Sequence, residues 1–133
     1  MMQKTLSTTV SFEGNALHTG EAVRVNLVPS DANTGITFVR TDLDNAEIPA
    51  LVRYVKRTNR QTILQNGEAT VGTVEHLMAS LYALGIDNLR IELNGSEIPI
   101  LDGSAAPLVD LIIEAGTKEQ PIEKNYYTLE EPF

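Results

Sequence analysis

The chain has no cysteine, which rules out a disulfide framework and a thiolate metal ligand and fits a cytoplasmic setting. Basic clusters are scarce. Net charge is −8, and only Arg53, Lys56, Arg57 and Arg60 group together. Non-specific nucleic-acid binding is disfavoured, because that affinity comes from Lys and Arg displacing counterions. The four basic residues read as a solvated loop, with a phosphate contact as the alternative. No apolar run approaches the length needed to span a membrane, and Met1-Met2-Gln3-Lys4-Thr5-Leu6 lacks the apolar segment of a secretion signal. The expectation is a soluble protein that would meet a lipid from the aqueous side. Neither G-x-x-x-x-G-K-[ST] nor G-x-G-x-x-G occurs, so no phosphate-cradling loop is indicated. Internal repeats and low-complexity segments are also missing. Histidine occurs only at positions 18 and 76.

What remains is an ordinary globular composition. An apolar fraction of 42% and a charged fraction of 21% over 133 residues allow one domain with a real core. The pattern predicts an α+β fold: a mostly antiparallel sheet packed on two helices. Thr5–Glu13 alternates as a half-buried strand. Gly14–Gly20 is a glycine-bounded loop. Val23, Val25 and Leu27 alternate in a second strand ended by Pro29, and Ser30–Gly35 is turn chemistry. Ile36–Arg40 forms a third strand, followed by an extended piece around Pro49. A hairpin is expected from Gln61–Leu64 and Ala69–Val71, turning at Asn66-Gly67. Leu89, Ile91 and Leu93 alternate in a further strand, and Glu97–Leu101 is extended.

The stretch Gly72–Gly85 carries the most chemistry. Val74, Leu77, Met78, Leu81 and Leu84 recur at helical spacing, with Thr73 as the expected N-cap and Gly85 as the stop. His76, Ala79, Ser80 and Ala83 make a second face, mostly of small side chains, with the imidazole at its rim. Glu75 and His76 fall in the first turn. Each has a bland reading: an acid favoured by the helix dipole, and a capping or hydrogen-bonded histidine. Together they also suit an imidazole that holds a metal beside a carboxylate that takes a proton from water.

Ser104 is the expected cap of the second helix, with Pro107 in its first turn and Gly116 closing it. Leu108, Leu111, Ile112 and Ala115 make one face, and Val109 and Ile113 widen the apolar surface. A helix so apolar needs cover on two sides. One cover is the sheet; the other is the first helix or a partner. From residue 118 the sequence reads as a polar linker, and Tyr126–Phe133 as the start of a second domain. The expected division is therefore 1–117 and 118–133.

Several ordered motifs carry a resemblance. Leu17-His18-Thr19-Gly20, Asn33-Thr34-Gly35, Arg40-Thr41-Asp42-Leu43, Thr73-Val74-Glu75-His76-Leu77, Leu84-Gly85-Ile86-Asp87-Asn88 and Glu97–Pro107 occur in this order. The chain thus resembles the amino-terminal half of the UDP-3-O-acyl-N-acetylglucosamine deacetylase family, zinc amidohydrolases of bacterial lipid A synthesis. One departure is Asn15-Ala16 before Leu17-His18, where the family often has a glycine next to the leucine.

The resemblance implies one half of a two-domain layered sandwich in a cytoplasmic bacterial enzyme acting on UDP-3-O-acyl-GlcNAc. It makes His76 a zinc ligand and Glu75 the general base. His18, Thr19 and Asp102 are carried over as residues supporting the site, and Asn59 as near the substrate. The family takes its other two zinc ligands, its oxyanion threonine, a catalytic lysine and histidine, and its acyl-chain passage from a second domain. No histidine follows His76. The expectation is a half-site with zinc weak or absent and little activity on its own. Two alternatives stand beside this: a non-catalytic module that self-associates or pairs with another protein through its helix face, and a self-contained site built from His18, His76 and Asp102.

Overall fold

The computed structural model describes residues 1–57, 61–101, 103 and 105–124. Asn59, Asp102 and Ser104, singled out above, lie outside the described residues, as does the tail from residue 125.

Hydrophobic alternation builds the central layer. Strand β3 (Ala22–Pro29) buries Val23, Val25 and Leu27, exposes Ala22 and Arg24 and leaves Asn26 half-buried. It pairs antiparallel with β2 (Val10–Asn15) on one side and with β9 (Leu89–Leu93) on the other. Strand β4 (Ile36–Arg40) joins β9 in parallel and receives β5 (Ala46–Pro49) antiparallel at its free edge. The order is β2-β3-β9-β4-β5. A single parallel pairing within an otherwise antiparallel sheet bears out the expected α+β class.

Two smaller sheets flank it. A 3₁₀ turn (Val52–Tyr54) leads into β6 (Val55–Arg57), which pairs with β7 (Thr62–Asn66), and β7 pairs with β8 (Ala69–Gly72). The hairpin exists, but Asn66 pairs with Ala69. Its two loop residues are therefore Gly67 and Glu68, one position later than expected, with Gly67 supplying φ 63°. Strand β1 (Met2–Leu6) pairs with β10 (Thr117–Glu123).

Two expectations need correction. Thr5–Glu13 is not one strand: the chain bends at Ser7 and Thr8, so β1 and β2 enter different sheets. Continuous alternation cannot reveal that break, because both halves keep period two. Residues 117–123 are not a linker. Their polar side chains face solvent on an edge strand, while Gln120 turns inward and is buried.

The helices α1 (Glu75–Ala83) and α2 (Ala106–Ala115) pack on this framework and touch each other. Val74, Leu77, Met78, Leu81, Leu108 and Ile112 join the buried strand residues in one connected core. Each fully buried leucine or isoleucine contributes about 1.5–3 kcal/mol relative to exposure. The stripe expected on α1 is therefore its core face. Ser80 also points inward and donates to the His76 carbonyl at 2.7 Å, so the small-residue face is narrower than expected. Gly116 ends α2 at φ 77°, and Ile113 remains 61% exposed.

Arg40 stitches the end of β4 to β8. Its guanidinium is buried, forks onto the Asp42 carboxylate at 2.9 and 2.7 Å, and donates to the Thr70 carbonyl at 2.7 Å. Strand β8 is the one that delivers the chain into α1. Among the described residues, no helix is long and apolar enough to cross a membrane.

Candidate active-site half around Glu75 and His76

The launch of α1 is unusual in its backbone. Thr73 does not cap the helix. Val74 occupies the N-cap position in helical conformation without any side-chain cap bond, and its carbonyl accepts from Met78 at 2.9 Å. Thr73 instead sits at φ 58°, a left-handed conformation that a β-branched residue adopts only under constraint. Such a residue costs on the order of 1–3 kcal/mol unless its surroundings hold it.

The surroundings do hold it. The Thr73 amide donates to the Thr62 carbonyl at 3.2 Å. Its hydroxyl lies 2.8 Å from Gln61 Oε1 and 3.0 Å from Glu97 Oε1; the single proton serves one of them at a time. Just before it, a Cβ at Gly72 would meet the end of the Gln61 side chain and require it to shift. The Gly72 amide donates to the Ser96 carbonyl at 2.8 Å, and the Ile98 amide to the Gly72 carbonyl at 3.0 Å. This short bridge brings Glu97 alongside the helix start.

Glu97 is the residue that sequence reasoning missed. It is only 2% exposed. Oε1 accepts from the His18 amide at 3.2 Å and faces His18 Nδ1 at 2.9 Å, while Oε2 accepts from the Thr19 amide at 3.1 Å. Burial pushes its carboxyl up, but the His18 ring and amide and the Thr73 hydroxyl outweigh that and hold it below the usual glutamate range. The available signal was an acid directly before the apolar run from Ile98 to Leu101, a stretch that read only as an extended segment.

This arrangement fixes where the remaining candidates go. His18 and Thr19 lie in a tight loop closed by Gly20 N to Ala16 O at 2.9 Å and Ala16 N to Glu21 O at 2.8 Å. They belong to the Glu97 cluster, with the His18 side chain 24% exposed. Glu75 is exposed in the first turn of α1, and His76 follows it, half-buried. Successive helical residues point about 100° apart, so the pair borders one uncovered edge, with exposed Ala79 and Ala83 behind it.

His76 Nδ1 is buried and has no hydrogen-bond partner among the described residues. A buried polar atom left unpaired costs free energy and calls for an explanation. An imidazole nitrogen left without a hydrogen-bond partner fits a metal ligand in its donor chemistry. Among the described residues, no three His, Asp or Glu side chains come together to hold a metal. Of the self-contained alternative, His18 Nδ1 is engaged by Glu97, and Asp102 lies outside the described residues.

Comparison with known proteins follows the same span. A family model described as LpxC: UDP-3-O-acyl N-acetylglycosamine deacetylase matches residues 3–133. The chain is similar to the UDP-3-O-acyl-N-acetylglucosamine deacetylase of Myxococcus xanthus, with 52% identity covering 92% of this chain and 39% of that protein. It is similar to the protein of that name from Anaeromyxobacter sp., with 48% identity covering 98% of this chain and 42% of the relative. The Coxiella burnetii relative of the same name is 45% identical over 97% of this chain and 43% of its own length. The chain therefore spans about two fifths of the relatives it matches.

Proposed function

The chain belongs to the UDP-3-O-acyl N-acetylglycosamine deacetylase family, and on that premise we propose that it forms the amino-terminal half of a zinc amidohydrolase. The reaction removes the N-acetyl group from UDP-3-O-acyl-GlcNAc in bacterial lipid A synthesis, in the cytoplasm. His76 is one ligand of the zinc, and Glu75 is the general base. The observation that carries this reading is the buried His76 Nδ1, without a partner among the described residues, next to an exposed carboxylate on a helix edge.

Zinc, when bound, supplies Lewis-acid polarisation of the acetamide carbonyl. The work of this chain's own residues is narrower. A Glu75 carboxylate oxygen takes a proton from water as the water oxygen bonds to the acetamide carbonyl carbon; the C–N bond then breaks with a proton delivered to the nitrogen, giving acetate and the sugar amine. His18 and Thr19 support the edge of the site through Glu97. Asp102 and Asn59 keep their proposed supporting and substrate-near roles.

A catalytic zinc ordinarily has three protein ligands, and His76 is the one proposed among the described residues of this site. The remaining ligands are proposed to come from a second domain outside these 133 residues, packed as the other half of a layered sandwich. The chain by itself is then a half-site.

Zinc titration after chelator treatment, beside His76→Ala, tests this. The expected result is weak or absent binding to the chain alone. Tight one-to-one binding that His76→Ala abolishes would mean the chain completes its own metal site. In a protein extended to the length of its relatives, Glu75→Gln should lower turnover by roughly 10²–10⁴-fold with zinc retained; unchanged turnover would remove Glu75 from the mechanism.

A second reading, a non-catalytic module that self-associates or pairs through its helices, draws on Tyr82 at 87% and Ile113 at 61% exposure. Size-exclusion chromatography separates the two. Tight self-association unaffected by the second domain favours the module.

A further inference from the structure

A single buried carboxylate joins three stretches of chain that are distant in sequence. Glu97 accepts from the His18 and Thr19 amides, faces His18 Nδ1, and lies 3.0 Å from the Thr73 hydroxyl. We propose that Glu97 is the positioning residue of this half-site. Its carboxylate pins the His18-Thr19 loop to Thr73, holds Thr73 in its left-handed conformation, and so sets the direction in which Glu75 and His76 leave β8. The assignment of a catalytic edge rests on the function proposed above; the mechanical coupling does not.

The chemistry of the cluster makes the assignment specific. An ionised carboxylate only accepts hydrogen bonds, so the two amides and the His18 ring nitrogen that face it must present protons, and the Thr73 hydroxyl does so when its proton is turned from Gln61. The His18 ring must therefore carry its proton on Nδ1. In the neutral ring this leaves Nε2 as a bare acceptor, and the ring's orientation is fixed by the carboxylate behind it. Neutralising Glu97 as a glutamine removes that requirement and offers an amide N–H₂ to groups that are already donors.

Thr73 is where the cluster meets the site. Its φ of 58° is held by the Thr62 carbonyl from the backbone side and by Gln61 and Glu97 from the hydroxyl side. Two residues later stands Glu75. A change of φ at Thr73 swings the first turn of α1 as a unit, because the Val74 carbonyl is already inside the helix ladder.

Imidazole ¹⁵N–¹H spectra of the wild-type chain and of Glu97→Gln test the proposal. In the wild type, neutral His18 should show the Nδ1–H tautomer. In Glu97→Gln that signature should be lost, and the His76 ring signals should shift with it while the amides of β3 and β9 stay in place. Uniform loss of dispersion would mean that the Glu97→Gln chain does not fold, and Thr73→Val then carries the test. That variant keeps the β-branched shape and the Glu97 charge but deletes the hydroxyl. The expected result is an intact His18 Nδ1–H tautomer with displaced His76 ring signals. Unmoved His76 signals in a folded variant of either kind would overturn the proposal. Because neither readout involves zinc or turnover, that failure is distinct from a failure of the deacetylase reading.

Discussion

Replacing Arg40 with Met probes how β8 is held in front of the site. The methionine keeps the buried aliphatic stem and deletes the guanidinium, so the loss is polar and not a cavity. Two bonds to Asp42 and one to the Thr70 carbonyl disappear. The Asp42 side chain is 34% exposed, so it rehydrates, and its pair is worth about 1 kcal/mol after screening. The Thr70 carbonyl, left without its charged donor, costs roughly 1–3 kcal/mol more. The total is about 2–4 kcal/mol, read as a lower urea midpoint with unchanged slope.

The pH dependence adds a second, signed test. Hydrogen bonds from Arg40 hold the Asp42 carboxyl below its ordinary range against a smaller opposing effect of burial. A depressed folded-state pKa gives stability that is present above the unfolded value and lost as pH falls through the folded one. The gap between wild type and Arg40→Met should therefore be full at pH 7 and shrink below about pH 4. A destabilisation below about 0.5 kcal/mol at pH 7, or a gap that widens in acid, would refute the reasoning.

Other outcomes follow from the same contacts. Asn88 is buried, donates to Gln3 and Gln120 at 2.9 and 2.8 Å, and accepts from the Gly35 amide at 2.9 Å; Asn88→Leu should cost roughly 3–5 kcal/mol by thermal melting, since several buried polar groups lose partners at once. A chain ended at Gly116 loses β10 and with it Gln120, so its urea midpoint should fall and Asn88→Leu should then cost less than in the full chain; equal costs in both would show that the network does not reach β10. Leu81→Ala, at a position 1% exposed, should lower stability by about 2–5 kcal/mol in urea titration.

Period and punctuation in the sequence were enough for several of the elements. Strands β3, β4 and β9, the α1 core stripe, and the glycine stops at Gly85 and Gly116 follow from local sterics and from which side chains avoid water. Both act within a few residues. The adjacent Glu75-His76 pair is legible for the same reason: its helical register is a local property. Its separation from the core face is fixed once Leu77, Met78 and Leu81 are buried.

What no local pattern held was which segments meet. Whether Thr5–Glu13 is one strand or two depends on the sheets that receive each half. Thr117–Glu123 became a strand because β1 offered an unpaired edge, although its composition reads as a linker. Thr73 has the composition of a cap and serves as a strained hinge, because Gln61 and Glu97 reach it from elsewhere in the chain. Glu97 could be read as surface charge until the fold buried it against the His18 and Thr19 amides, the His18 ring and the Thr73 hydroxyl. Backbone hydrogen bonds and buried charges are satisfied by whatever the fold brings near, so these assignments belong to the tertiary structure alone.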